Sequence, residues 1–177
     1  MADGRWVEAL GILQEIVQTE NKGLVLVRPG TAGNVATYVN VATRCNVLMS
    51  RASKEGRLAY RQKVDPQAKR WFEAWQRTRD DAELLRIVHH AFLSSYGDDA
   101  LLALGESAWD RGEFSAARSW WEQLVPLPDK ANPANHPTLL RYPDAEFDQP
   151  TILARTVMCS ILEREPIRGC RRDSPVL

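Results

Sequence analysis

The stretch Leu101-Leu-Ala-Leu-Gly-Glu-Ser-Ala108, followed by Gly112-Glu-Phe-Ser-Ala-Ala-Arg-Ser-Trp-Trp-Glu-Gln-Leu-Val125 and Pro126, decides the fold class. Leu101, Leu104, Gly105 and Ala108 recur at helical spacing, and Gly112 breaks the helix. Ala117, Trp121 and Leu124 then mark the apolar face of a second helix, which Pro126 and Pro128 stop. Small residues at 105, 108 and 117 let two helix backbones approach, and Phe114 and Trp121 fill the space between neighbouring hairpins. The spacing predicts a helical hairpin of the kind that stacks into arrays.

The second half of this hairpin has a copy near the start of the chain. Gly4-Arg-Trp-Val-Glu-Ala-Leu-Gly-Ile-Leu-Gln-Glu-Ile-Val17 aligns with Gly112 to Val125: Trp6 meets Phe114, Ala9 meets Ala117, Leu13 meets Trp121 and Ile16 meets Leu124. Residues 5–18 therefore read as an amphipathic helix. A second hairpin half with no first half before it leads to the expectation that the chain is a piece of a longer protein.

Between these copies, Leu24 to Val27 reads as a short extended piece closed by Arg28-Pro29-Gly30. Gly30-x-x-Gly33 makes a poor phosphate loop, because no Lys-Ser/Thr follows. Asn34 to Ser50 reads as a helix with Val35, Tyr38, Val39, Ala42 and Cys45 on its apolar side, and Ser53 with Gly56 marks a join. Arg57 to Val64 reads as a short basic helix. Asp65-Pro66 reads as the start of the next one, to about Arg79, with Ala68, Trp71, Phe72 and Trp75 on one face. Asp80-Asp81 opens a helix running to about Ser95. Gly97 suits a helix end with positive φ, and Asp98 the following start. Leu127 to Pro150 is proline-rich and suits an extended strap over a helical surface. Asp148 to Glu163 is a last helix, with Leu153, Val157 and Ile161 on one side, and Arg164 to Leu177 is expected to fray.

Composition excludes several classes. With 44% hydrophobic and 26% charged residues in 177, the chain is neither disordered nor fibrous. The net charge is zero, so no global field draws it to nucleic acid or an acidic surface. The charge is nonetheless polarised: Arg51 to Arg79 holds nine Lys/Arg against three Asp/Glu, and Asp80 to Thr151 five against thirteen. No apolar run approaches the roughly 18 residues that span a bilayer. No secretory leader is evident, so the chain as it stands reads as cytoplasmic. Cys45, Cys159 and Cys170 show no metal spacing or pairing pattern.

No catalytic constellation emerges. His89 and His90 are adjacent on a helix and point about 100° apart, so the two cannot face one ion. Asp80-Asp81 and Asp98-Asp99 both open helices, where carboxylates satisfy free N–H groups and the helix dipole. Neither a nucleophile elbow nor a His-Glu-x-x-His motif is present. The expectation is a protein without catalytic, cofactor or metal site.

The order Leu-Gly, Ala, Gly, aromatic, Ala, aromatic, Pro around residues 101–126 resembles the tetratricopeptide repeat. Leu101 stands where the usual early tryptophan would be, and Ala108 replaces the usual tyrosine. More widely, Tyr38 to Glu163 resembles a helical region of planctomycete envelope proteins, in which a tetratricopeptide-like domain precedes a PQQ-type β-propeller. The residues that carry this are Tyr38-Val-Asn40, Ala59-Tyr-Arg61, Val64-Asp-Pro-Gln-Ala68, Tyr96-Gly-Asp-Asp-Ala-Leu101, Trp120-Trp-Glu-Gln-Leu-Val-Pro126 and Leu140-Arg-Tyr-Pro-Asp144. No propeller pattern is present here, so PQQ binding does not carry over. The resemblance implies architecture, and a parent protein of the cell envelope.

Together these readings predict an all-α, tetratricopeptide-like superhelix of about seven helices: a repeat-like region 1–126, a connection 127–150 and a terminal helix 151–177. The expected function is a non-enzymatic protein–protein interaction scaffold whose groove takes an extended or helical partner segment. Arg57, Arg61, Lys69 and Arg70 are the expected partner contacts. The alternative is a nucleic-acid binder using these residues and Lys63, with salt-sensitive affinity.

Overall fold

The computed structural model describes residues 3–19, 23–29, 35–126 and 139–164. The Gly30-x-x-Gly33 loop, His136, the prolines at 128, 133 and 137, Cys170 and the expected frayed end lie outside the described residues. Seven helices account for most of the rest: α1 Asp3–Thr19, α2 Val41–Met49, α3 Lys54–Thr78, α4 Asp81–His90, α5 Gly97–Asp110, α6 Phe114–Glu122 and α7 Gln149–Arg164. Among the described residues, no helix is long and apolar enough to cross a membrane.

The helices are not the whole fold. β1 Leu24–Arg28 pairs antiparallel with β2 Thr37–Asn40, with Val25 opposite Val39, Leu26 opposite Tyr38 and a bulge between Leu26 and Arg28. The mostly helical structure agrees with the all-α expectation, to which it adds this one strand pair; the expected helix over 34–50 is corrected. Thr37, Tyr38 and Val39 are strand formers, and Asn40 then caps a helix that starts later. The Asn40 side chain accepts from the Ala42 N–H at 2.8 Å and the Thr43 N–H at 3.4 Å.

From α3 onward each helix packs on the next in sequence, through α4, α5 and α6 to α7, while α1 packs on α2 and α3. One core runs through the array, from Leu10 and Val17 on α1 by way of Leu84, Ile87, Phe92 and Leu101 to Trp121 and Ile152. On α1 the fully buried positions are Leu10 and Val17, with Trp6, Leu13 and Ile16 packed beside them. On α6 they are Ala117 and Trp121. The two aligned segments are both helical, but they bury different centres of the shared pattern. Trp6 meets the close crossing of α1 and α3, where a Cβ on Gly56 would lie 3.3 Å from the Trp6 Cβ. Gln14 ties α1 down, donating to the His90 carbonyl and accepting from the Tyr60 hydroxyl at 2.7 Å.

Three boundary expectations change. Residues 54–78 form one helix, not two, with Pro66 inside it. Ser53 caps it, accepting from the Gly56 N–H, and Arg79 ends it at φ 56°. Asp65 does not cap a helix start; its carboxylate accepts from the Ser95 N–H at 2.9 Å and the Ser95 hydroxyl at 2.8 Å. α4 is capped by Asp80 as expected, but it ends at His90 rather than near Ser95. The residues after it, Ala91 to Ser94, are buried and non-helical. Gly97 is needed for a different reason than positive φ: a Cβ there would lie 2.0 Å from the Phe92 carbonyl oxygen and 2.8 Å from the Tyr142 ring. Gly112, at φ 74°, makes the turn between α5 and α6.

The hairpin itself has the expected wedge. Trp121 packs tilted on Trp109, 5.9 Å between centroids and 37° between planes, donates to the Leu102 carbonyl and lies beneath the Arg155 guanidinium of α7. α7, capped by Asp148, buries Ile152, Thr156 and Cys159. Leu153, Val157 and Ile161 do share a side, but that side is 46–57% exposed.

Candidate functional site

Residues 139–148 cross the array as an irregular strap with a turn at 143–144, held by side chains of α3 and by the segment after α4. Arg61 donates to the Leu93 carbonyl at 3.1 Å, to the Tyr142 hydroxyl at 2.8 Å and to Asp144 Oδ1 at 2.8 Å. Arg57 donates to the Ala52 carbonyl, and its Nε lies 3.5 Å from Asp144 Oδ2. The Tyr142 hydroxyl donates to the Ser94 carbonyl at 2.7 Å, and the Tyr142 N–H to the Gln123 carbonyl at 2.8 Å. Burial raises the Tyr142 hydroxyl far above its ordinary pKa, so it stays protonated and can donate.

These bonds divide the four residues expected to contact a partner. Arg57 and Arg61 are only 16% and 18% exposed and are engaged within the chain. Lys69 faces solvent 3.8 Å from Glu73, one turn on, and Arg70 is exposed beside it. The basic run 51–79 is thus partly a clamp for the strap rather than one continuous outer face.

Asp98 joins the same clamp from α5. It lies inside the first turn, where Tyr96 holds the cap position without a side-chain bond. Its buried carboxyl lies against the backbone N–H groups of Asp98 itself, of Asp99 and of Glu146 in the strap, which favour its anion; burial, with the charge of Asp99, outweighs them and pushes it up to about 6. Among the described residues no cluster of three or more His, Cys, Asp or Glu is placed to hold a metal.

The strap walls off a groove of about 750 Å³, whose other sides are the start of α2, the end of α4 and the end of α6. Asn40, Thr43, Asn46, His89, His90, Trp120, Gln123 and Arg141 supply its polar and aromatic lining, and no Asp or Glu lines it among the described residues. Asn46 is 4% exposed, and its Oδ1, itself sealed from solvent, has no hydrogen-bond partner among the described residues. A buried amide acceptor in that state costs stability unless something donates to it. Arg141 donates to the neighbouring Leu140 carbonyl at 3.2 Å. Loss of hydration lowers its pKa, with Glu122 opposing. His90 packs its ring on Trp71 at 6.4 Å, while His89 is exposed; partial burial and the charge of His90 hold His89 below its ordinary value. The two imidazoles line one groove but have separate neighbours. The arrangement offers the Arg141 cation and an aromatic wall in a concave site, with the orphaned Asn46 acceptor buried behind it.

Sequence reasoning missed the groove. Asn46 reads as one polar residue in a helix, and Arg141 lies in a stretch that reads as a connection. Neither carries a spacing that announces a site, because three helix ends and the strap have to meet before it exists. No family model, no curated protein and no solved structure matches the chain.

Proposed function

We propose that the chain is a protein–protein interaction scaffold of tetratricopeptide type, and that the groove bounded by α2, α4, α6 and the strap takes a segment of its partner. The observation that carries this reading is the in-order packing of α3 to α7, with the α5–α6 hairpin closed on Gly105. Arrays of this kind present concave surfaces assembled from several helices, and their usual ligands are peptide segments. The resemblance to planctomycete envelope proteins adds that the chain serves as the helical part of a larger protein. On this reading the groove binds and does not catalyse.

The test is selection from a displayed library of random linear peptides against the purified chain, followed by calorimetry and amide shift mapping. Peptides binding in the micromolar range and shifting Asn46, His90 and Trp120 are expected. A selection that yields no binder, or binders that all map away from the groove, would overturn the assignment.

The nucleic-acid alternative loses Arg57 and Arg61, which are engaged by Asp144 and by backbone carbonyls, and is left with Lys63, Lys69 and Arg70 on the exposed face.

A further inference from the structure

α7 buries Ile152 and Cys159 in the core it shares with α6 and turns a second apolar row outward. Leu153 is 46% exposed, Val157 57%, Met158 50% and Ile161 57%, and Ala154 is exposed between them. Single exposed aliphatics are ordinary, but four on three turns of one helix form a patch that calls for a cover. The position makes this sharper. α7 is the last described helix in the ordered packing from α3, and the end of a helical array normally presents a polar outer face, because the stacking that buries apolar surface stops there. We infer that this face pairs with the same face of a second copy of the chain. No described residue of α7 lines the groove, so the pairing is independent of what the groove binds.

Three properties of the face select a second copy. The first is charge. Arg155 is drawn to Glu106 at 2.9 Å and over the Trp121 ring, and Glu163 pairs with Arg118 at 3.1 Å. The apolar row itself holds no charge, so two such faces meet without like-charge repulsion and offer nothing to select a charged partner. The second is shape. Leu153, Val157 and Ile161 form a ridge at spacings of four, and Ala154 and Met158 form the ridge beside it. Helices that interdigitate their i±4 ridges use the same kind of surface on both sides, so the face is complementary to itself, and a two-fold contact closes at two copies. The third is area. At these exposures the four side chains offer roughly 400 Å² a copy, and a symmetric contact removes roughly 800 Å² in total before its rim is counted. That is the low end for specific interfaces, so the pair is reversible and concentration-dependent. Within the chain, residues 165–177 are a poor alternative cover by composition, since Ile167, Val176 and Leu177 are separated by three arginines, two prolines and a glycine.

The test is sedimentation equilibrium of the full chain from about 5 to about 500 μM, the range in which a weak interface of this size assembles. The mass should rise from 20.0 kDa toward twice that value. Val157 is central in the ridge, so a two-fold axis brings Val157 of each copy together. Val157→Lys and Val157→Glu should each weaken association at least about tenfold, the effect of setting like charges against each other. Their urea midpoints should match the parent's, since the position is exposed. An equimolar mixture of the two variants should associate again, as opposite charges now meet. Leu24→Lys, on the exposed strand pair, should leave association unchanged. A parent that stays monomeric at the highest concentration overturns the proposal and leaves the face to another occupant. Association that survives Val157→Lys, that is lost in Leu24→Lys instead, or that does not return in the mixture overturns it as well.

Discussion

Gly105 on α5 lies directly beneath the indole of Trp121 on α6: a Cβ at 105 would sit 2.1 Å from Nε1 and 2.4 Å from Cδ1. The indole cannot retreat, since Nε1 donates to the Leu102 carbonyl and the ring is confined by Trp109 and Arg155. Gly105→Ala should therefore destabilise by about 1–3 kcal/mol through overpacking, although alanine is the better helix former by about 1 kcal/mol. Trp121→Ala alone should cost about 3–5 kcal/mol. In the Trp121→Ala background the sign at 105 should reverse, with alanine now favourable. A denaturant double-mutant cycle reads this directly. Additive losses would mean that the two helices do not meet at this contact.

Tyr142 and Ser94 provide a contrast between a polar group with partners and one without. The Tyr142 hydroxyl donates to the Ser94 carbonyl and accepts from Arg61. Tyr142→Phe should cost about 1–3 kcal/mol, because it leaves buried groups unpaired. The Ser94 hydroxyl is fully buried and has no partner among the described residues. Ser94→Ala should be neutral or stabilising by about 0.5–1 kcal/mol, since it removes an unmet desolvation cost. Equal losses for the two variants in urea titrations would contradict the hydrogen bonding described for the strap.

The hairpin was legible because its signals are local. Gly105, Ala108 and Ala117 announce a close helix pair, Gly112 its turn, and Asp80 the start of α4. The misread boundaries are places where tertiary contacts override a local signal. Asp65-Pro66 reads as a helix start, but Tyr60 and Ala68 are both buried on the same helix, and Asp65 is drawn to Ser95. Gly97 reads as a left-handed cap, whereas the Phe92 carbonyl leaves no space for a Cβ. The α1 copy shares apolar spacing with α6, but it faces different neighbours and buries Leu10 and Val17. The groove was illegible because it joins residues from positions 40 to 141, none of which has a partner at motif distance.

Pro66 offers a simple gain in stability. It lies in the interior of the 25-residue α3, where it has no N–H for the Gln62 carbonyl and its ring crowds that turn. The position is exposed, so water satisfies the freed carbonyl and the helix continues. Pro66→Ala should restore the bond and stabilise by about 1–2 kcal/mol, the helical gain being reduced by the greater freedom of the unfolded chain. Thermal and urea unfolding would show this as a higher midpoint. A lower midpoint would mean that proline is required to aim Asp65 at Ser95.

Asp98 should give the fold a measurable pH dependence. Its carboxyl is pushed from an ordinary 3.8 up to about 6, first by burial and then by the charge of Asp99, against the N–H groups that favour its anion. A raised acid binds more protons folded than unfolded, so its contribution to stability falls as pH rises from about 4 to about 6 and is level above that. The full shift corresponds to about 3 kcal/mol. Partial solvent access reduces the expected loss to about 1–2 kcal/mol. Asp98→Asn keeps an acceptor for the Asp99 and Glu146 N–H groups while removing the charge. It should be more stable than the parent at pH 7.5 and nearly equal to it at pH 4. Comparing parent and variant across that range isolates Asp98 from the other carboxyls, which titrate in both. If the variant is less stable at pH 7.5, the anion is held by its N–H donors more strongly than burial opposes it, and the strap depends on the charged form.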